Sequence, residues 1–180
     1  MYSYGKIIPG LKINGVPAPY PVLNERAVRA GAGMMFALGS FAFFHAFYLE
    51  QYIYIKILVV LLLIDFSIKV FIKPAWSPFS LLANYIVKNQ TPDYVGAIQK
   101  RFAWSIGLFL AFTMTILIYG FGIVNEINLA ICAICLTFMF MESAFGICVG
   151  CKLYPLAVKY KILSEPHITP VCPGNVCSTE

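Results

Sequence analysis

The sequence predicts an all-α membrane protein with four transmembrane helices, a short interfacial helix, and both termini in the cytoplasm. Three observations carry that expectation. Hydrophobic residues make up 60% of the 180-residue chain and charged residues only 12%, whereas soluble domains carry about 25%. Four apolar windows of bilayer length follow one another, at Ala30–Tyr48, Tyr52–Ile72, Phe102–Tyr119 and Ile127–Gly150. The cations sit at alternate ends of those windows. Lys6, Lys12, Arg26 and Arg29 precede the first. Lys73, Lys88, Lys100 and Arg101 lie between the second and third, and Lys152, Lys159 and Lys161 follow the fourth. The short connections at Glu50-Gln51 and Asn125-Glu126 carry none, although Lys56 lies near the first. By the positive-inside rule the basic side is cytoplasmic. The net charge of +5 therefore follows topology, and the expected partner is the lipid bilayer and not nucleic acid.

The windows divide the chain into a Pro/Gly-rich arm (1–23), a transmembrane domain (24–151) and a cytoplasmic tail (152–180). The arm is punctuated by Pro and Gly and holds no apolar core for a cleavable signal, so the first span is expected to direct insertion. Pro9, Pro17, Pro19 and Pro21, with the Asn14-Gly15 turn signal, predict an extended arm lying on the membrane or on a protein partner. Asn24 is an expected N-cap, with Glu25 in the first turn where its charge suits the helix dipole. Arg26 and Arg29 stand one turn apart at the boundary. Gly33 and Ala37 form a small-xxx-small pair that lets another helix approach closely, within the bundle or in a partner.

In the second span Asp65 and Lys69 are four apart and share a helical face. Ionisable groups at that depth usually face the bundle interior, as a local ion pair or in a polar pocket. Ser77-Pro78 opens a short helix, with Ser as cap and Pro at the first position. Its apolar Phe79, Leu82 and Ile86 predict that it lies in the interface plane. Lys100-Arg101 anchors the third span.

The last span carries the chemistry. Glu142 lies about two turns from its inner end, and an ionised carboxylate there needs a cation: Arg26, Arg29, Lys100 or Arg101. Cys148 and Cys151 form a Cys-x-x-Cys, which on a continuing helix would share one face at its C-terminus. That end of the dipole opposes thiolate formation. Cys132 and Cys135 form a second such pair in the outer half of the span, read as apolar filling. Cys172 and Cys177 in the tail complete a C-x2-C-x20-C-x4-C spacing with Cys148 and Cys151. Such a set suits a four-thiolate metal site, with zinc the candidate metal. A redox relay between the two pairs is the competing reading. In a reducing compartment, structural disulfides are the less expected use.

Several stretches resemble a family of small bacterial integral membrane proteins known as domain of unknown function 4395. They are Asn24-Glu25-Arg26-Ala27-Val28-Arg29, Asp65, Ser77-Pro78 and Lys100-Arg101-Phe102-Ala103. The last is Glu142 with Phe145-Gly146-x-Cys148-x-Gly150-Cys151. Together they cover residues 24–151, and the arm and tail look like additions. The resemblance implies a multi-pass protein of the bacterial inner membrane, with thioredoxin-like or sulfurtransferase partners. It also groups Arg26, Arg29, Asp65, Ser77, Lys100, Arg101, Glu142, Cys148 and Cys151 on the cytoplasmic half, as a pocket or a polar cap.

Three functions are open at this stage. In the first, Cys148 and Cys151 carry disulfide, persulfide or metal chemistry, with Glu142, Arg26 and Arg101 shaping the pocket. In the second, the chain is a non-catalytic subunit of a larger membrane complex, docked through its arm or first helix. The third, a transporter of a small anion or sulfur compound, suits four short spans least, because no inverted repeat is visible.

Overall fold

The computed structural model describes residues 5–13 and 15–161, and they form a helical bundle with two small β-pairings at one end. In chain order the elements are β1 (Lys12–Ile13), β2 (Val16–Pro17), β3 (Val22–Asn24), α1 (Glu25–Tyr48), α2 (Ile53–Ser67), α3 (Pro78–Ile86), β4 (Tyr94–Gly96), α4 (Ala97–Thr115), α5 (Glu126–Phe145) and α6 (Val149–Lys159). Five-residue π-helical turns extend α2 to Ile72 and α4 to Gly120. Three helices are long and apolar enough to cross a membrane: Glu25–Tyr48, Ala97–Gly120 and Glu126–Phe145. The expected second span is met by α2, whose 15 α-helical residues reach bilayer length only with the π extension.

The helices pack through their smallest residues. A Cβ on Gly39 of α1 would lie 2.7 Å from Leu136 Cδ2 of α5, and one on Gly33 would meet Ser143 at 3.6 Å. Gly107 of α4 lies flat against the Phe66 ring of α2, where a Cβ would stand 3.0 Å from the nearest ring carbon. Without a hydrophobic driving force in lipid, close backbone approach of this kind supplies the packing. The small-residue face of α1 is thus occupied within the chain, by α5 and, at Gly31, by Ala83 and Phe79 of α3.

The described residues of the arm pair with the chain that leads into α4. β3 pairs antiparallel with β4, in register Val22↔Gly96, Leu23↔Val95 and Asn24↔Tyr94. Lys6 and Val22 exchange backbone hydrogen bonds at 3.1 and 3.0 Å. Ala18, Tyr20 and Val22 form a small core with Ile8, Leu11, Ile13 and Tyr94. This pairing clamps the starts of α1 and α4 side by side. Asn24 caps α1 as expected, its Oδ1 accepting from Arg26 N at 3.2 Å and from Asp93 N at 3.3 Å.

α3 begins as expected, with Ser77 as N-cap accepting from Ser80 N at 3.2 Å and Pro78 in the first turn. Asp65 holds it against the bundle. One carboxylate oxygen accepts from Phe79 N at 3.1 Å, and the other lies 2.6 Å from Lys69 Nζ. Asp65 is 0% exposed. Both its charge partners, an ammonium and a helix N-terminus, are positive. Leu81, Leu82, Tyr85 and Ile86 are exposed along α3, the face expected to meet lipid.

Replacing Asp65 by Ala removes the carboxylate of the buried ion pair with Lys69, and losing one partner of such a pair costs about 3–5 kcal/mol. Chemical unfolding in detergent should register that loss for Asp65→Ala. The Asp65→Ala/Lys69→Met double variant is expected to recover most of it.

Candidate functional site

The last expected span does not run through to the cysteine pair. α5 stops at Phe145, and Gly146 adopts a left-handed conformation (φ 68°) that turns the chain. A β-carbon would make that conformation costly, so glycine suits the position. Four successive carbonyls at the end of α5 are satisfied. Met141 O accepts from Ile147 N at 3.0 Å and Glu142 O from Gly146 N at 3.1 Å. Arg29 of α1 covers the other two, donating to Ser143 O from Nε and Nη2 at 3.4 and 3.1 Å, and to Ala144 O at 3.1 Å. A guanidinium there also suits the negative end of the α5 dipole.

A new helix starts at once. Cys148 is the N-cap of α6, in an extended conformation, and its Sγ accepts from Cys151 N at 3.2 Å. The expectation that the motif lies at a helix C-terminus is therefore corrected: the left-handed turn at Gly146 ends one dipole and begins another. The positive end of α6 now faces Cys148 Sγ and stabilises negative charge developing there. Cys148 and Cys151 are joined as a disulfide with Cα atoms 5.2 Å apart. Both are buried, at 5% and 2% exposure. The chain beyond 151 is not all tail, since α6 is helical to Lys159 and packs on α4. Gly150, inside the motif, permits that contact: a Cβ there would lie 2.6 Å from Ala103 Cβ. Pro155, within α6, has no N–H to offer the Cys151 carbonyl one turn back.

A buried ion cluster lies at the same end of the bundle. Lys100 Nζ stands 2.6 Å from Glu142 Oε1 and 2.9 Å from Glu25 Oε2, and also donates to Glu25 Oε1 at 3.2 Å. Of the four cations that could have partnered Glu142, Lys100 does so directly, while Arg29 stands on the carbonyls one and two residues later. Glu25, read from the sequence as a dipole-compensating residue, is a full member of the cluster and is 5% exposed. The signal for it was available in charge counting: a lysine at the start of one span and a glutamate at the start of another must be buried together when those starts are paired.

Other expected site residues are dispersed. Arg26 is exposed and donates to Gln90 Oε1 at 3.4 Å. Arg101 donates to Val70 O at 3.1 Å, a carbonyl in the π-turn after α2. Asp65, Lys69 and Ser77 anchor α3. The Arg26 contact with Gln90 and the Arg101 contact with Val70 lie away from the cysteine pair. Cys172 and Cys177 lie outside the described residues, and no group of three or more metal-ligating side chains occurs among the described ones.

Between α2, α4 and α5 runs an apolar slot of about 130 Å³. Leu58, Leu110 and Met114 line its far part, and Glu142, Cys148 and Leu153 its near end. Cys132 and Cys135, read as filling, also line it. Cys148 and both cysteines of the outer pair, which helical pitch alone would separate, thus line one space.

Residues 23–159 match the family described as a domain of unknown function (DUF4395), and the chain belongs to that family. The match takes in α6 as well as the bundle. No curated protein and no solved structure matches the chain significantly.

The glycines at the break should be intolerant. Gly146→Ala places a side chain in the left-handed region, at about 1–2 kcal/mol, with its Cβ 3.3 Å from Arg29 Nη1. Gly150→Ala forces α6 off Ala103, where overpacking costs about 1–3 kcal/mol. Alkylation of the reduced protein is expected to modify Cys151 faster in Gly150→Ala than in wild type.

Proposed function

We propose that this chain is a membrane thiol–disulfide protein in which Cys148 and Cys151 are the redox-active pair. The observation that carries the reading is the position of Cys148 Sγ, at the N-terminus of α6, bonded to Cys151 and lining the slot beside Glu142. A sulfur in that position is a good leaving thiolate, because the helix dipole offsets its charge. A thiolate from a second molecule attacks one sulfur, the Cys148–Cys151 bond breaks, and a mixed disulfide forms. A second thiol of the same donor then resolves it, leaving the donor oxidised and two thiols in this chain. Glu142 accepts and returns the proton.

In this reading the chain crosses the bacterial inner membrane four times, α2 with its π extension forming the second crossing. Both termini and the cysteine end face the cytoplasm. Support comes from the concentration of Lys and Arg at that end, and from the exposed apolar surface of α5, whose span window is only 6% buried within the chain. The aqueous donor is a protein dithiol, of thioredoxin-like or sulfurtransferase type.

The test is the redox state of the pair in the full-length, detergent-solubilised protein across a series of dithiol/disulfide buffers, read by thiol alkylation, with metal content measured in parallel. A reversible two-electron transition confined to Cys148 and Cys151, and abolished in Cys148→Ser, is expected. A bond that survives reduction until the protein unfolds would mark a structural disulfide. One zinc per chain with Cys148, Cys151, Cys172 and Cys177 all protected would replace the redox reading with a metal site.

A further inference from the structure

Cys148 and Cys151 are nearly closed to water, yet Cys148 lines a slot that opens toward the side of the bundle. The opening follows from the way the helices pack. α5 lies along α1 and meets α4 over few residues, so α4 and α5 diverge and leave a gap. At the mouth stand Phe138 and Leu153, which are 37% and 42% exposed. Both belong to the apolar surface that would meet acyl chains.

The shape of the space restricts what it holds. Its lining on α4 runs from Ala103 to Met114, roughly 16 Å at 1.5 Å per residue, so the slot is long and narrow. Its volume of about 130 Å³ is close to the roughly 150 Å³ of an apolar cavity that takes up benzene. A single flat ring of about that size fits the volume, and an aliphatic tail attached to it would leave through the mouth at Phe138 and Leu153. The polar atoms lie at one end, where the Glu142 carboxylate and the sulfur of Cys148 meet the apolar walls.

From this geometry we infer that the slot binds a lipid-soluble quinone, with its ring against Cys148 and Glu142 and its isoprenoid tail passing out to lipid at Phe138 and Leu153. The inference rests on the redox reading of the pair and adds to it the electron acceptor. After an aqueous dithiol has reduced the disulfide, the two S–H bonds of Cys148 and Cys151 break and one S–S bond forms. Two electrons and two protons pass to the quinone, whose two carbonyl oxygens become the hydroxyls of a quinol. Glu142 relays a thiol proton to the ring oxygen beside it. Electrons thus enter from water through the cysteine pair and leave through the bilayer. An acyl chain fits the same slot but accepts no electrons.

The experiment uses the full-length protein in detergent, reduced with excess dithiol and freed of it. A benzoquinone with a short isoprenoid tail is then added. Quinone reduction is followed by absorbance, and disulfide formation by alkylation. Oxidation should be stoichiometric and saturable in quinone. Leu110→Trp, which fills the middle of the slot, should slow it at least tenfold. The same variant should be oxidised at the wild-type rate by a water-soluble disulfide, which does not use the slot. Ile131→Phe on the facing helix serves as a second filling variant where Leu110→Trp does not fold. Equal, non-saturating quinone oxidation in wild type and filled variants would overturn the quinone site while leaving the redox pair intact. A pair that fails to cycle in dithiol/disulfide buffers would instead overturn the underlying reading.

Discussion

The architecture depends on one buried ammonium. Lys100 is 1% exposed and holds a carboxylate from α1 and another from α5. Through it the two helix starts and one helix end that form the floor of the bundle are fixed to each other. Two carboxylates facing one another in a low-dielectric floor would repel strongly, so the cluster coheres only with the cation between them. Such a cluster is weak evidence for stability as such. Its effect is registry, since one ammonium on α4 holds carboxylates from both α1 and α5. The β3–β4 pairing backs the same registry, by holding side by side the segments that lead into α1 and α4.

Fixing the end of α5 determines where the cysteines fall. Glu142 is held by Lys100, and the carbonyls of Ser143 and Ala144 are held by Arg29, so the helix has little freedom to continue past Phe145. Gly146 turns it, and Cys148 begins another helix almost at once. A polar floor that looks like mere scaffold thereby sets the polarity of the dipole at the sulfur. Had α5 run on unbroken, the same Cys-x-x-Cys would lie at a negative helix end, where thiolate is disfavoured.

This turn is also where sequence reasoning fell short. The bilayer-length windows, the Asn24 and Ser77 caps, the Asp65–Lys69 pair and the amphipathic α3 were all legible, because each is a local pattern of charge, period or cap. The break at Gly146 was not read, because Ile127–Gly150 is apolar enough to pass as one span and hydropathy does not see backbone direction. The Phe145-Gly146 step did carry a signal, a glycine four residues after a half-buried carboxylate, and glycine just past a last helical turn is a common stop. Pairings between distant segments were the other gap. Glu25 with Lys100, and Val22–Asn24 with Tyr94–Gly96, are separated by about 70 residues, and no local period announces them. The slot belongs to the same class, since it arises from the divergence of α4 and α5 and not from any one segment.

The relation between floor and slot explains why the cysteine pair lies at their junction. A sulfur buried wholly in the apolar bundle would have no dipole or carboxylate to manage its charge. One fully in water would be open to every soluble thiol. At Cys148 the α6 N-terminus and Glu142 supply the polar side, and the gap between α4 and α5 supplies the apolar side. Gly150 matters here for a geometric reason: only a residue without a side chain lets α6 lie close enough to Ala103 to close the bottom of the slot. Closing it keeps water from the sulfurs while leaving the lateral opening at Phe138 and Leu153. Access to the pair is therefore governed by the packing of α6 on α4, and a movement of α6 away from Ala103 is the motion that would expose the disulfide to an aqueous donor.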